Sequence, residues 1–140
     1  MTYNRPDRPL LGAIASTFVR HGKRALVEKA LFSLQSEHKE QKLFDLTYAS
    51  PSVSLRSKRK AGIVYKLPAP ISPKSSRSYA LRWLRSSVRM RKERGFGQRL
   101  LFEFRDLRSK RGETFRRRQA THQTALLNRG FLRLLRRLIQ

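Results

Sequence analysis

The sequence predicts a mainly α fold, a single domain of about six helices with a two-stranded β-hairpin protruding between the third and fourth. Three observations carry this. Apolar residues recur at three- and four-residue steps through most of the 140 residues, the spacing of helices that bury one face. One stretch, SVSLRSKRKAGIVYKLP at 52–68, alternates apolar and polar positions on both sides of a bend at Gly62, as hairpin strands do. The length suits one helical core and is too short for two, so residues 1–140 are read as one unit.

Residues 1–8 form a short N-terminal arm, after which Pro9 can occupy the first turn of a helix whose face uses Leu10, Leu11, Ile14 and Phe18, stopping at His21 and Gly22. The run LLGAIASTFV has no small-residue cleavage site before HGKR, so a cleaved leader is not expected. From Lys23 to about Gln35, Leu26, Val27, Ala30, Leu31 and Leu34 define a second helix. Ser36 is placed as the cap of a third, shorter helix carrying Leu43, Phe44 and Leu46 and stopped near Pro51. In the β-ribbon, Val53 and Leu55 alternate with Ser52, Ser54 and Arg56, and then Ile63, Tyr65 and Leu67 with Val64 and Lys66. Ser72 and Pro73 open a long helix through Arg94, striped by Ala80, Leu81, Trp83, Leu84 and Val88. Gly95 and Gly97 mark a turn before a helix on Leu100, Leu101, Phe104 and Leu107, which ends by Gly112. A basic C-terminal helix is expected over 116–138, with Ala120, Leu127, Phe131, Leu134 and Leu138 on its apolar side.

Charge then narrows the function. The chain holds 33 Lys and Arg against 9 Asp and Glu, a net charge of +24, and only a dense polyanion relieves such self-repulsion. Arginine outnumbers lysine, 23 to 10, and a planar guanidinium grips phosphate bidentately and stacks on bases as an ammonium cannot. Four cations, Arg56, Lys58, Arg59 and Lys60, crowd the hairpin bend. They repel one another unless an anion is bound there. Further clusters at Arg89 to Lys92, Arg116 to Arg118 and Arg133 to Arg137 lack acidic compensation, which favours a shared nucleic-acid surface. A DNA-compacting protein with a basic β-arm, or a membrane-active protein built on the terminal FLRLLRRLIQ, would share these features.

Catalysis finds no support. There is no cysteine, and His21, His38 and His122 are far apart in sequence and form no metal-ligand spacing. No GxxxxGK[ST], GxGxxG or GxSxG occurs, and the carboxylates sit among Arg and Lys, where solvated ion pairs explain them. An enzyme, a cofactor and a small-molecule substrate are therefore not expected. No apolar run reaches the length of a membrane span.

The order of segments resembles the small-subunit ribosomal protein family numbered seven. HGKRALVEKAL is similar to the family's GKK motif and the start of its second helix, and PSVSLRSKRKAGIVYKLP to its hairpin motif. ALRWL matches its long-helix signature, QRLLFEF its RLxxE segment, and FRRRQATHQTALLNRGF its last-helix element. The resemblance implies binding to the 3′ major (head) domain of small-subunit rRNA, help in assembling the head, neighbouring small-subunit proteins, and proximity to the exit-site tRNA and the mRNA exit path. It carries RNA-facing roles onto Lys23, Arg24, Arg56, Lys58, Arg59, Lys60, Arg77, Arg89, Arg91, Lys92, Arg116, Arg117 and His122, and the arginine run adds Arg118. Ala61 stands where the family usually has the first of two tip glycines, and LRLLRR replaces the usual AHYRW ending. The divergence and arginine enrichment point to a mitochondrial ribosome, with a plastid or the bacterial cytoplasm as the alternatives.

Overall fold

A computed structural model of the chain describes residues 8–37 and 43–132. Five α-helices occur among these: α1 (Arg8–Phe18), α2 (Arg24–Glu37), α3 (Pro73–Met90), α4 (Phe96–Arg108) and α5 (Gly112–Leu127). A short 3-10 turn (Asn128–Phe131) continues α5, and strands β1 (Val53–Lys60) and β2 (Ile63–Pro70) form the antiparallel ribbon between α2 and α3. The predicted class holds, a helical domain with one ribbon.

The core gathers one stripe from each of four helices. Ile14 of α1, Leu31 of α2, Leu84 and Val88 of α3, and Leu100 and Leu107 of α4 are almost wholly removed from solvent, and this shared burial is the main force joining the helices. Phe18 meets Phe96 at a centroid distance of 5.1 Å, and Phe44 meets Phe104 edge-on at 5.3 Å, separations typical of stabilising aromatic pairs. Helix α3 starts as its sequence predicts: Ser72 is the N-cap, its hydroxyl accepting from the Ser75 amide at 3.3 Å, and Pro73 occupies the first turn.

The expected third helix is a correction. Ser36, expected to cap it, lies inside α2, residues 38–42 lie outside the described part, and 43–50 form no helix, with a turn at 47–49. Asp45 accepts from both the amide and the hydroxyl of Thr47, at 2.9 and 2.6 Å, a local closure that competes with helical bonding. Leu43, Leu46 and Ala49 are nonetheless buried in the core, so the apolar spacing was real while the backbone found another way to satisfy it. The last helix also differs at its start, Gly112 instead of Arg116. Its early start is held from outside, because the Thr114 amide donates to Glu103 of α4 at 3.3 Å. Helix α3 ends at Met90, four residues earlier than expected, where Arg91 turns to an extended conformation. The terminal stretch 133–140, the end of the expected C-terminal helix, and most of the expected arm at 1–8 lie outside the described residues.

Candidate nucleic-acid interface

The ribbon's pairing fixes where its charges point. Register runs from Val53 opposite Pro70 to Lys60 opposite Ile63, so Arg56, Lys58 and Lys60 share one face while Arg59 lies on the other. The closing turn is the two-residue loop Ala61–Gly62, with φ of 49° and 81°. Positive values at both central positions are those of a type I′ turn, whose twist matches that of paired strands. All four cations are exposed, and no described ion pair involves any of them. Ile63 and Val64 beside them are also 58% exposed. The tip thus offers positive charge and apolar surface, and among the described residues its four cations have no ion-pair partner.

The base of the ribbon is held rigidly by α5. The Ser52 amide donates to His122 Nε2 at 3.1 Å, Arg118 Nε donates to the Ser50 carbonyl at 3.0 Å, and Asn128 Nδ2 donates to the Lys66 carbonyl at 2.9 Å. From α3, the Ser76 hydroxyl donates to the Pro51 carbonyl at 2.5 Å. Tyr65 packs on Phe131 with centroids 5.1 Å apart, while Leu67 and Ala69 are buried. Burial, followed by repulsion from Arg118, holds the His122 imidazole below its ordinary pKa, which favours the neutral ring that can accept from Ser52. Arg118 and His122 therefore set the ribbon's angle. An adjoining cleft of about 520 Å³ is lined largely by apolar side chains, Val53, Pro68 and Leu126 among them.

The other predicted positions divide in the same way. Lys23, Arg77, Arg89, Lys92 and Arg116 are exposed. Arg24 is exposed but pairs with Glu28 at 2.7 Å, and Arg117 pairs with Glu113 at 3.1 Å. Such solvent-facing i, i+4 pairs are weak and can be exchanged for a stronger anion. Arg91 is different. Its guanidinium donates to Glu103 at 2.7 Å and Glu93 at 2.9 Å, and also binds Asp106. Burial alone would lower its pKa, but the bonds to Glu103, Asp106 and Glu93 outweigh it and raise the value. Arg91 thus ties the end of α3 to α4.

Glu103 is the centre of that tie and was missed by reading the carboxylates as solvated. It is 2% exposed, accepting from Arg91 and, at 2.6 Å, from the Thr114 hydroxyl. The Thr114 hydroxyl is also hydrogen-bonded to the Ser87 hydroxyl of α3, at 2.9 Å, so one buried polar knot fixes α3, α4 and α5 together. A signal existed: Glu103 lies in the stripe Leu100, Phe104, Leu107, where helical spacing predicts burial. Among the described residues no cluster of His, Asp and Glu could hold a metal ion, and no helix is long and apolar enough to cross a membrane.

Comparison with known proteins bears on this surface. The residue pattern of the family described as ribosomal protein S7p/S5e matches residues 3–129. The chain is 29% identical over 130 residues to the small ribosomal subunit protein uS7 of Acidithiobacillus ferrooxidans, covering 87% of this chain and 83% of that one. It is 29% identical over 139 residues to the uS7 of Francisella tularensis subsp. holarctica, covering 90% and 88%. With the uS7 of Thermobifida fusca the identity is 29% over 131 residues, covering 88% and 84%.

Proposed function

Since the chain belongs to the ribosomal protein S7p/S5e family, we propose that it binds the head domain of small-subunit rRNA and holds several RNA helices at a fixed angle. Its coarse role follows from that membership and the uS7 relatives: a structural component of the small ribosomal subunit, and not an enzyme. The observation that carries the finer reading is the ribbon, four exposed cations without an ion pair among the described residues, on an arm locked at its base by α5. Rigid placement of charge lowers the ordering cost of binding. A-form RNA hides its base edges in a deep groove, so the arm reads backbone shape and irregular or looped elements.

Contacts to phosphate fall to Lys23, Arg24, Arg56, Lys58, Arg59, Lys60, Arg77, Arg89, Lys92, Arg116 and Arg117, while Arg91, Arg118 and His122 position them. The tip, with Ile63 and Val64 exposed beside the cations, is the part that lies near the exit-site tRNA and mRNA. The ribosome is that of a mitochondrion, a reading supported by the arginine bias and by identities of 29% to the bacterial relatives. Bacterial cytoplasm is the second reading, favoured by the source of those relatives.

Sedimentation with small ribosomal subunits, followed by ultraviolet crosslinking, tests the reading: crosslinks should fall in the head domain of the rRNA. Their absence, with the protein left unbound at the top of the gradient, would contradict it. Replacing Arg56, Lys58, Arg59 and Lys60 together by alanine should weaken rRNA binding and leave the circular dichroism of the helices unchanged. Loss of helix in that variant would show the cluster to be structural.

A further inference from the structure

The ribbon's two edges are not alike. Antiparallel strands exchange main-chain bonds only at alternate pairs, and the pairs in between turn their amides and carbonyls outward. Two observations fix which pairs those are. Lys60 and Ile63 flank the two-residue turn and so form a bonded pair. The Lys66 carbonyl faces away from β1, since it accepts from Asn128 Nδ2 at 2.9 Å. Counting along the register from either point, the outward groups belong to Leu55, Ser57 and Arg59 of β1 and to Val64, Lys66 and Pro68 of β2.

The outer edge of β2 is blunted. Pro68 and Pro70 have no amide to offer, and Asn128 already occupies the Lys66 carbonyl. Strand β1 contains no proline, and its residues 56–60 are exposed. Among the described residues it makes no main-chain bond outside its ladder with β2. Its edge therefore presents an amide and a carbonyl from each of Ser57 and Arg59, with those of Leu55 nearer the base.

The same edge selects its occupant. A phosphodiester only accepts hydrogen bonds, whereas this edge alternates donors with acceptors, the pattern that another extended polypeptide matches. A second copy of the chain is disfavoured by charge, because it would set Arg56, Lys58, Arg59 and Lys60 beside their own kind. Carboxylates at alternate positions of an incoming strand would instead meet Arg56, Lys58 and Lys60 on one face. We propose that β1 is a docking edge for an extended acidic segment of another protein, which adds to the ribbon as a third strand. Main-chain bonds set its register and the cations choose the partner. This assignment does not rest on rRNA binding.

Amide exchange and affinity measurements on the full chain test it with two short peptides of equal charge. One alternates Glu with Thr. The other alternates Glu with Pro, and keeps the carboxylates while lacking the amides that would face β1. Saturating Glu–Thr peptide should slow exchange at the Ser57 and Arg59 amides at least about tenfold and leave Val64 unchanged. The Glu–Pro peptide should bind more weakly, by about two- to twelvefold for each main-chain bond lost. Ser57→Pro removes one outward amide without touching the ladder or the charge, so it should weaken the Glu–Thr peptide by that same factor and leave the Glu–Pro peptide unaffected. If Ser57→Pro opens the ribbon, seen as lost protection at Arg56 and Lys58, the two peptides compared on the parent decide alone. Equal affinity of the parent for both, or slowing at Val64 equal to that at Ser57, would show that the cations act by charge only, as they would toward phosphate, and would overturn the docking edge.

Discussion

Glu103 shows how one buried charge can organise a helical domain. With Arg91, Thr114 and Ser87 it links three helices through bonds of 2.6 to 2.9 Å. Glu103→Ala would strip Arg91 and Thr114 of a shared acceptor, and should cost roughly 2 to 3 kcal/mol in urea unfolding, a value reduced because Arg91 retains some solvent. A loss below half a kilocalorie would show the knot to be incidental. His122 supplies a second prediction. Its pKa is depressed in the folded chain by burial and Arg118, so below about pH 6.5 the unfolded chain binds a proton that the folded one resists. The stability contributed by the neutral ring is full above that value and is lost as pH falls through the folded-state value. Exchange of the Ser52 amide, corrected for its intrinsic rate, should therefore be less protected at pH 5 than at pH 7.5. His122→Gln should remove that dependence, and equal protection in the parent at both values would contradict the anchor.

At the scale of elements, the ribbon was the most legible part of the sequence and its turn the least ideal. Apolar and polar residues alternate at 52–56 and 63–67 on either side of the bend, and the strands pair there from Val53 opposite Pro70 to Lys60 opposite Ile63. Ala61, by contrast, adopts φ of 49°, a region where a β-carbon is crowded. Ala61→Gly should stabilise the hairpin by about 0.5 to 1 kcal/mol, the relief of strain being partly offset by greater freedom in the unfolded chain. Slower amide exchange at Lys60 and Ile63 would register it; faster exchange would mean the turn is not strained. The helices were legible where an apolar stripe and a capping residue agreed, as at Ser72 and Pro73 of α3. They were not where side chains replaced backbone bonds: Asp45 with Thr47 closed turns in place of a third helix, and Glu103 drew α5 forward to Gly112. Likewise the sequence marked Arg91, Arg118 and His122 only as basic. Three-dimensional neighbours, absent from any linear spacing, give them their positioning roles.

For the whole molecule, the net charge of +24 opposes its own compaction while favouring its partner. The two effects respond oppositely to salt. Screening should raise the melting temperature of the free protein and weaken its complex with RNA. The most direct test of the central claim is the affinity for a small-subunit rRNA head-domain fragment measured across a few-fold range of salt. With about six phosphates neutralised, the log-log slope should be about −4 to −5, and duplex DNA of equal length should bind more weakly at every salt concentration. A slope near zero, or duplex DNA binding as tightly as the rRNA fragment, would contradict it.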